Sequence, residues 1–460
     1  MARIDDVLSA IDADQDPALD RLFELLAIPS ISAVSAHHPD CERAADWLTA
    51  QLKELGFEAA KHPTEGRPMV VGHVKASRRD APHVLFYGHY DVQPVDPLPL
   101  WRNPPFEPKL ETGPDGDRIV ARGASDDKGQ LMTFLEACRA FKAFGGPPCE
   151  VTVLFEGEEE TGSQSLEPFL AKNAAMLKAD IALVCDTGMS GRDAPAITTA
   201  LRGLVGEEVI LRGANRDLHS GIYGGIAVNP IHVLSRILGA LHDENGRIAI
   251  PGFYEGVEEL SPEVAEQWSA LDFDAAQFLG AVGLSTPAGE RDRTPLEQMW
   301  SRPTCDVNGV SGGYNGEGFK TVLPSEARAK VSFRLVGKQN PERVAQAFRA
   351  FVASRLPSDV KAEFIGHGGS GAISLPIKNE ALRLARQALE AEWGKPAALV
   401  ACGASIPIVG SFKRELGMDS LLVGFAYEDD QIHSPNEKYE RRSFHKGARS
   451  WARILSALAA

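Results

Sequence analysis

The sequence predicts an α/β fold: a larger domain built on a mixed sheet flanked by helices, with a smaller α+β domain inserted into it. Two observations predict this fold. Strand-like and helix-like segments alternate along residues 1–203, a pattern typical of a sheet with helices on both faces. The chain has 460 residues, which exceeds the usual length of one hydrophobic core and favours two domains.

The first half of the chain supplies the elements of the predicted sheet. His83–His89 has the apolar run of a buried strand ending in a turn. Val151–Phe155 and Ala179–Cys185 have the same character. Between them, residues 130–144 predict a helix, because apolar side chains recur on one side of it: Leu131, Phe134, Leu135, Cys138 and Phe141.

Near Leu204 the pattern changes, which places an inserted domain at residues 204–366 between catalytic segments 1–203 and 367–460. Asn229 and Pro230 predict the start of a helix within the insertion, since these residue types favour the cap and the first turn. The other predicted elements are strands at Leu204–Leu211 and Ala327–Leu335, a helix from Pro341, a helix at 378–393, and strands near Ala398 and Leu421.

Composition excludes several classes of protein. Apolar residues make up 43% of the chain and charged residues 24%, as in globular proteins, and the net charge of −15 disfavours nucleic acid as a partner. No run of about 18 apolar residues predicts a membrane span. The start of the chain lacks a signal-peptide pattern, so we expect a cytoplasmic protein. The six cysteines form no Cys-x-x-Cys pair, which favours reduced thiols.

Two short motifs bring candidate metal ligands to the ends of elements. His89 and Asp91 follow a predicted strand, and their spacing directs both side chains to one face. Asp126, in the segment 122–129, stands just before a predicted helix. Taken alone, the first motif is more typical of an ordinary surface strand end and the second of a helix cap.

Further acidic and imidazole groups follow the remaining strands. The segment 156–162 carries four glutamates and comes directly after a buried strand. Asp186 also ends an apolar strand, and His433 lies in a polar loop near the C-terminus. A solvated acidic loop is the simple alternative for the first of these.

The combination of these loops predicts a two-metal site. Two metal ions ~3.5–4 Å apart require a set of His, Asp and Glu ligands in which one carboxylate bridges. A ligand set that mixes imidazole with carboxylate and lacks cysteine suits two divalent ions of Zn or Mn, with Co also acceptable.

The sequence resembles the co-catalytic metallopeptidases that include carnosinase, cytosolic nonspecific dipeptidase, acetylornithine deacetylase and carboxypeptidase G. The similarity extends from residues 23–32 to residues 433–437. Carnosinase-like dipeptidases match best, through the segments 123–129, 218–225 and 313–318.

The resemblance implies a role for each candidate ligand. His89 and Asp186 would hold one metal, Glu160 and His433 the other, and Asp126 would bridge them. The peptide bond after the bridging residue is expected to be cis.

It also implies two supporting roles. Asp91 would orient His89 from behind the metal. Glu159 would be the general base for a water that bridges the metals and attacks the amide bond of a dipeptide.

The resemblance implies substrate contacts and a homodimer as well. His219, in the inserted lid and dimerisation domain, would reach the partner subunit's site and polarise the scissile carbonyl. Arg334 and Thr321 would hold the substrate carboxylate, and Ser405 would lie on a loop that closes around the dipeptide. Arg334 could instead be an ordinary strand residue, and His219 a turn residue.

Three other functions fit parts of the sequence. An N-acyl-amino-acid deacylase would use the same metals and base, so the motifs do not separate it from a dipeptidase. The segment Gly309-Val-Ser-Gly-Gly313 fits the serine-hydrolase pattern, but that motif needs a strand before it and a helix after it. A dimeric binding module that lost its chemistry is disfavoured, since the base and all metal positions are present.

Overall fold

The computed structural model describes residues 3–271, 273–375, 378–403 and 406–460. Its strands are β1 Glu58–His62, β2 Met69–Val74, β3 His83–His89, β4 Lys109–Gly113, β5 Gly116–Val120, β6 Glu150–Glu156, β7 Ile181–Val184, β8 Ala196–Leu201, β9 Gly203–Arg212, β10 Leu218–His219, β11 Thr304–Gly312, β12 Val322–Leu323, β13 Glu326–Leu335, β14 Lys361–Ser370, β15 Ile373–Ser374, β16 Ala398–Cys402, β17 Asp419–Leu422 and β18 Lys438–Glu440.

Its α-helices are α1 Ile4–Ala13, α2 Gln15–Leu26, α3 His38–Leu55, α4 Lys128–Lys142, α5 Leu166–Leu177, α6 Ser220–Tyr223, α7 Pro230–Gly239, α8 Pro262–Ser269, α9 Ala275–Gly280, α10 Pro295–Trp300, α11 Pro341–Ala353, α12 Glu380–Trp393, α13 Pro407–Ser411 and α14 Arg441–Leu458. Short 3₁₀ turns occupy Ser35–His37, Leu98–Leu100 and Glu159–Thr161, and a π-helical turn occupies Phe412–Leu416.

The chain divides into two compact units. The first comprises Met1–Thr199, Leu375–Val400 and Pro407–Ala460, and the second Ala200–Ser374 with Ala401–Ile406. The second unit is thus an insertion that takes in a few more residues than the predicted 204–366. Its functional role as a lid and dimerisation domain stays a prediction.

The first unit is organised by a mixed sheet with the order β1-β2-β6-β3-β7-β17-β8, and β16 pairs with β8. The central strands β6, β3, β7 and β17 run parallel, whereas β1, β2 and β8 pair antiparallel with their neighbours. The mixed α/β fold expected from the sequence is therefore confirmed. A small antiparallel sheet, β18-β5-β4, completes the strands of this unit.

Helices pack on both faces of the central strand β3. Phe86 stacks on Phe134 of α4 with ring centroids 3.8 Å apart and meets Trp451 of α14 edge-on at 5.5 Å. The next residue, Tyr87, points the other way and meets Phe412 at 5.9 Å. Because neighbouring strand residues face opposite sides, this apolar run makes contacts on both faces and holds β3 at the centre of the core.

The second unit has its own sheet and core. The four-stranded antiparallel sheet has the order β11-β13-β9-β14, and β10 pairs separately with β12. Val209, Phe333 and Phe348 are fully buried in its apolar cluster. The predicted helix start is confirmed, since the Asn229 side chain accepts a hydrogen bond from the backbone N–H of Ile231. No helix among the described residues has the length and apolarity to cross a bilayer.

Candidate active site

The parallel strands bring the predicted ligands to one edge of the large sheet. His89 is the last residue of β3, Asp186 follows β7, and the acidic loop 157–162 follows β6. The three strands are neighbours in the order β6-β3-β7 and run in the same direction. Their carboxyl ends therefore meet at the same edge, where open α/β sheets bind ligands.

Asp126 lies between two histidines. One of its carboxylate oxygens, Oδ1, is 3.1 Å from Nε2 of His89, and the other, Oδ2, is 2.9 Å from Nε2 of His433. The peptide bond from Asp126 to Asp127 is cis, as the resemblance implies. Each oxygen of this carboxylate thus faces a different histidine.

The other predicted ligands complete two groups that share Asp126. Ligand atoms of His89, Asp126 and Asp186 lie within 4.8 Å of one another, and so do those of Asp126, Glu160 and His433. The structure therefore brings together all five residues predicted as metal ligands. The arrangement is two three-residue clusters joined by one carboxylate.

Asp91 is buried and holds two parts of the site in place. Its backbone carbonyl faces Nδ1 of His89 at 3.0 Å, which orients the ring. Its carboxylate accepts hydrogen bonds from the Ser32 hydroxyl at 2.6 Å and from the backbone N–H groups of Glu159 and Glu160 at 3.2 and 3.1 Å. Asp91 thus ties the acidic loop to the end of β3.

A buried ion pair that the sequence reasoning missed holds the loop of Asp126. The Glu437 carboxylate accepts hydrogen bonds from the backbone N–H groups of Gly123, Ser125 and Asp126, at 2.9, 2.9 and 3.0 Å. It also pairs with Arg122 at 2.8 Å, and both side chains are almost completely buried. The two partners are 315 residues apart, so no local signal connects them.

The four glutamates at the end of β6 and in the loop that follows it have separate environments. Glu156 is buried and accepts a hydrogen bond from the Tyr87 hydroxyl at 2.7 Å, and burial raises the pKa of its carboxyl to about 8. Glu158 accepts a hydrogen bond from the backbone N–H of Ser165 at 3.2 Å. Glu160 belongs to a ligand group, and Glu159 has its backbone held by Asp91.

Electrostatics at this edge indicate a shortage of positive charge. Burial, and then the neighbouring charges of Asp126 and Asp127, hold the pKa of Asp186 well above its usual range. Burial also raises the pKa of Glu159. Hydrogen bonds to Asp126 and Glu160 raise the pKa of His433 to about 10. The carboxylates here outnumber the positive charges, and this excess raises the pKa of neighbouring carboxyl groups and of the imidazoles.

His89 and Asp126 stabilise each other's charged forms in the same way. Burial disfavours the charge on His89, but the hydrogen bonds to Asp126 and Asp91 outweigh it and hold the His89 pKa well above its usual range. Burial likewise opposes the charge on Asp126, but hydrogen bonds from His433 and His89 keep its pKa below the usual range.

These residues fit divalent cations. One oxygen of Glu160, Oε1, is buried without a hydrogen-bond partner, although Gln93 donates to its other oxygen, Oε2, at 2.6 Å. A buried acceptor left unsatisfied is costly, and a cation would satisfy it. The donors are carboxylate and imidazole groups, which suit Zn and Mn.

The predicted substrate contacts lie in the second unit. The exposed His219 ends β10, and its Nδ1 accepts a hydrogen bond from the backbone N–H of Gly221 at 3.0 Å. The exposed Thr321 precedes β12, and the half-buried Arg334 lies on β13 opposite Leu204. The remaining predicted contact, Ser405, lies outside the described residues.

The serine-hydrolase motif does not have the required geometry. Ser311 lies inside β11, where it pairs with Arg328 of β13. A nucleophilic serine of that class sits on a sharp turn between a strand and a helix. The strand pairing of Ser311 excludes this arrangement.

The fold and the two ligand groups define a class: a metal-dependent hydrolase whose site lies at the carboxyl edge of an α/β sheet. The sequence model of Peptidase family M20/M25/M40 matches residues 85–457, and the chain belongs to this family. It is therefore a metallopeptidase.

Similar proteins agree with this assignment over almost their whole length. The Cys-Gly metallodipeptidase of Schizosaccharomyces pombe is 31% identical, over 99% of this chain and 98% of the relative. The structure of an M20 family metallo-carboxypeptidase from Sulfolobus solfataricus has a TM-score of 0.84 at 31% identity and covers 96% of this chain and 99% of its own. Human carnosine dipeptidase 1 has a TM-score of 0.81 at 27% identity, with coverage of 100% and 99%.

Proposed function

We propose that this metallopeptidase is a two-metal dipeptidase that cleaves the amide bond next to a free C-terminal carboxylate. The observation that carries the proposal is the Asp126 carboxylate, whose oxygens face His89 at 3.1 Å and His433 at 2.9 Å. A carboxylate placed between two ligand groups is what a two-metal site requires.

In this proposal His89 and Asp186 would hold one divalent ion, Glu160 and His433 would hold the other, and Asp126 would be shared between the two groups. The ligand chemistry favours Zn or Mn, with Co also acceptable. When bound, such ions lower the pKa of a water molecule and polarise the carbonyl of the substrate.

Glu159 is the general base of the proposal. Its backbone is held by Asp91 at 3.2 Å, next to the ligand Glu160 but outside both ligand groups. Burial raises its pKa, so its carboxylate is a better proton acceptor than an ordinary glutamate. It would take a proton from the attacking water and deliver it to the leaving amine.

The second unit supplies the proposed contacts to substrate. Arg334 would bind the terminal carboxylate with its planar guanidinium, and Thr321 would add a hydroxyl donor. Burial, and then the nearby charge of Arg334, lower the pKa of Arg202 to about 10. The guanidinium of Arg334 is thus close enough to that of Arg202 for the two to form a positive region that would attract a substrate carboxylate.

We also propose a homodimer in which His219 acts on the partner subunit's site. Gly221 donates its N–H to Nδ1 of His219, so the proton of the neutral ring is on Nε2 and is available to an oxyanion. Exposed apolar side chains lie close in sequence to His219 and Thr321. Ile222 and Ile226 follow His219 and are 69% and 85% exposed, and Phe319, just before Thr321, is 92% exposed. Such side chains favour an interface between subunits.

The substrate class follows from the similar proteins, whose names specify Cys-Gly and β-Ala-His dipeptides. The family also leaves an N-acyl-amino-acid deacylase as the second candidate. The buried thiols of Cys41, Cys138, Cys149, Cys185 and Cys305 are free, which supports a reducing compartment such as the cytoplasm.

A side-by-side assay separates the two candidates. The enzyme loaded with Zn or with Mn is tested on Cys-Gly, β-Ala-His, Ala-Ala and the corresponding N-acetyl amino acids. We expect higher kcat/KM for a dipeptide than for the N-acetyl compound with the same C-terminal residue. The reverse order would assign the chain to the deacylases, and no turnover of either class would contradict the proposal.

A mixing experiment tests the shared site. Homodimers of Glu159→Ala and of His219→Ala are each expected to be nearly inactive. When the two are unfolded together and reassembled, random pairing into closed dimers predicts about a quarter of normal activity, because half of the dimers then carry one complete site. Dimers confirmed by light scattering that recover no activity would show that His219 serves its own chain.

A further inference from the structure

A second group of metal-binding side chains lies at the opposite edge of the large sheet. His73, His83 and Glu150 offer ligand atoms that all lie within 4.8 Å of one another. His83 begins β3 and Glu150 begins β6, whereas His89 ends β3. His83 and His89 are six residue steps apart, a distance of ~20 Å along the strand.

Strand pairing, not loop conformation, brings this group together. His83 of β3 is directly opposite Glu150 in the parallel register. On the other side of β6, His73 of β2 is opposite Thr152, the next residue on the same face as Glu150. Side chains fixed on adjacent strands are held more precisely than side chains on loops.

The distances are close to those of a bound cation. Nε2 of His73 is 3.1 Å from Oε1 of Glu150. Tetrahedral zinc with bonds of about 2.0–2.1 Å places neighbouring ligands about 3.3 Å apart. The two imidazole rings meet edge to face, with centroids 5.6 Å apart and an interplanar angle of 83°. The ligand atom of His83 lies within 4.8 Å of those of the other two residues.

The surroundings orient the rings. The buried Thr152 hydroxyl lies 3.2 Å from Nδ1 of His73 and 2.8 Å from Nε2 of His83. A hydroxyl has one proton and two lone pairs, so it can donate to one ring and accept from the other. Burial lowers the pKa of His83, which favours the neutral imidazole that binds metals.

We propose that His73, His83 and Glu150 form a cation site separate from the active site, which binds one divalent ion of the zinc class. Two imidazoles and one carboxylate are a zinc ligand set that leaves a fourth position for water. The bound ion would join β2, β3 and β6. This proposal does not depend on the proposed function, because none of its ligands belongs to the candidate active site.

Zinc content tests the proposal. The metal-loaded enzyme and its variants are equilibrated with micromolar Zn²⁺, freed of unbound ion, and measured by mass spectrometry for zinc per chain. We expect the double variant His73→Gln, His83→Gln to bind one ion fewer than the unmutated enzyme. His62→Gln, on the neighbouring β1, is the matched control and is expected to bind the full number. Equal zinc content in the double variant and the unmutated enzyme would overturn the proposal.

Two further measurements distinguish this site from the catalytic one and test the proposal even if the double variant does not fold. In Asp126→Ala, which removes the residue shared by both catalytic groups, zinc binding at the opposite edge is expected to persist. In the unmutated holoenzyme, Zn²⁺ at ten times its Kd is expected to slow diethylpyrocarbonate modification of His73 and His83 about tenfold. His62 is expected to react at an unchanged rate. Modification of His73 and His83 that zinc does not slow would overturn the site without any mutation.

Discussion

The two edges of the large sheet carry the same types of ligand in different electrostatic settings. At the carboxyl edge, two histidines meet several buried carboxylates, and Asp126 is shared between two ligand groups. At the opposite edge, two histidines meet the carboxylate of Glu150, and these three side chains are only partly buried. The Asp180 carboxylate, next to them, accepts a hydrogen bond from the backbone N–H of His83 at 2.8 Å.

This difference shows how strand direction determines the charge of a site. The loops that follow the three adjacent parallel strands β6, β3 and β7 all lie at one edge, and each loop contributes acidic residues. At the other edge, the beginnings of β3 and β6 and the end of the antiparallel β2 place two histidines and one carboxylate together. The first edge therefore offers more ligand carboxylates than the second.

Removing the shared carboxylate is the strongest test of this comparison. Asp126→Ala takes one ligand from each catalytic group, so we expect both ions to be lost and kcat/KM to fall by at least ~10³-fold. Metal content and dipeptide turnover measure the effect. A variant that keeps both ions would show that the two groups do not depend on Asp126.

Breaking the buried ion pair behind the active site is expected to have a large effect on stability. Glu437→Gln leaves Arg122 buried without its partner and weakens the bonds to the loop of Asp126, so we expect a loss of about 3–5 kcal/mol in the free energy of unfolding. Denaturant unfolding measures it.

The matched control is an ion pair on the surface of the second unit. Lys338 pairs with Glu258 at 2.6 Å, and the two side chains are 80% and 57% exposed. Lys338→Gln is expected to leave stability almost unchanged, because exposed pairs are weak. Equal losses of unfolding free energy in Glu437→Gln and Lys338→Gln would show that burial does not make the first ion pair more important for stability.

Two neighbouring glutamates are expected to respond differently to truncation. Glu159→Ala should lower kcat by ~100-fold or more, as is typical for loss of a general base, while metal content stays near that of the unmutated enzyme. Glu160→Ala should lose metal, because Glu160 belongs to a ligand group. If Glu159→Ala loses metal and Glu160→Ala keeps it, the two roles are exchanged.

Amidation of the C-terminal carboxylate of the substrate tests the proposed role of Arg334 in the second unit. A charged hydrogen bond contributes about 1.5–3 kcal/mol, so amidating the dipeptide should reduce kcat/KM about 10- to 100-fold in the unmutated enzyme. In Arg334→Ala the reduction should be much smaller. Arg328→Ala, on the same face of β13, is the control and should keep the full sensitivity. Equal sensitivity in all three proteins would rule out the contact of Arg334 with the carboxylate.

The last test is the pH dependence of catalytic metal binding. The pKa values of His89, His433 and Asp186 are raised in the metal-free protein, that of His433 to about 10, so the two imidazoles retain protons near neutral pH. Ligation requires their deprotonated forms, so metal uptake releases protons. Affinity should therefore rise with pH, about tenfold per pH unit for each proton released. Calorimetry in buffers of different ionisation enthalpy measures the number of protons released when metal binds. If no protons are released, the imidazoles are not protonated in the metal-free protein.

Much of the fold was predictable because local patterns suffice for single elements. The apolar run of His83–His89 predicted β3 with its observed bounds. Asn229 and Pro230 predicted the start of α7, since a cap needs only its own turn. Element ends shifted where the pattern was weaker: the helix expected at 130–144 is Lys128–Lys142, and the one expected at 378–393 is Glu380–Trp393.

Three of the five ligand candidates, His89, Glu160 and Asp186, were accessible from the sequence because they follow parallel strands, whose carboxyl ends share a common edge wherever each strand lies. Asp126 and His433 lie in other loops, and the motif resemblance assigned them to the set. Motif resemblance then separated Glu159 and Glu160 from the other acidic residues of their loop. The environments of those other residues came from the structure: Glu156 meets the hydroxyl of Tyr87, and Glu158 meets the backbone of Ser165.

By itself, the sequence determined many of the elements, the α/β class and the candidate ligands, because these depend on periodicity, capping and residue type. Only the tertiary structure decided which groups meet. It paired Glu437 with Arg122 across 315 residues, and strand register brought His73 and His83 to Glu150. Register and long-range packing depend on the whole core, so they leave no local pattern in the chain.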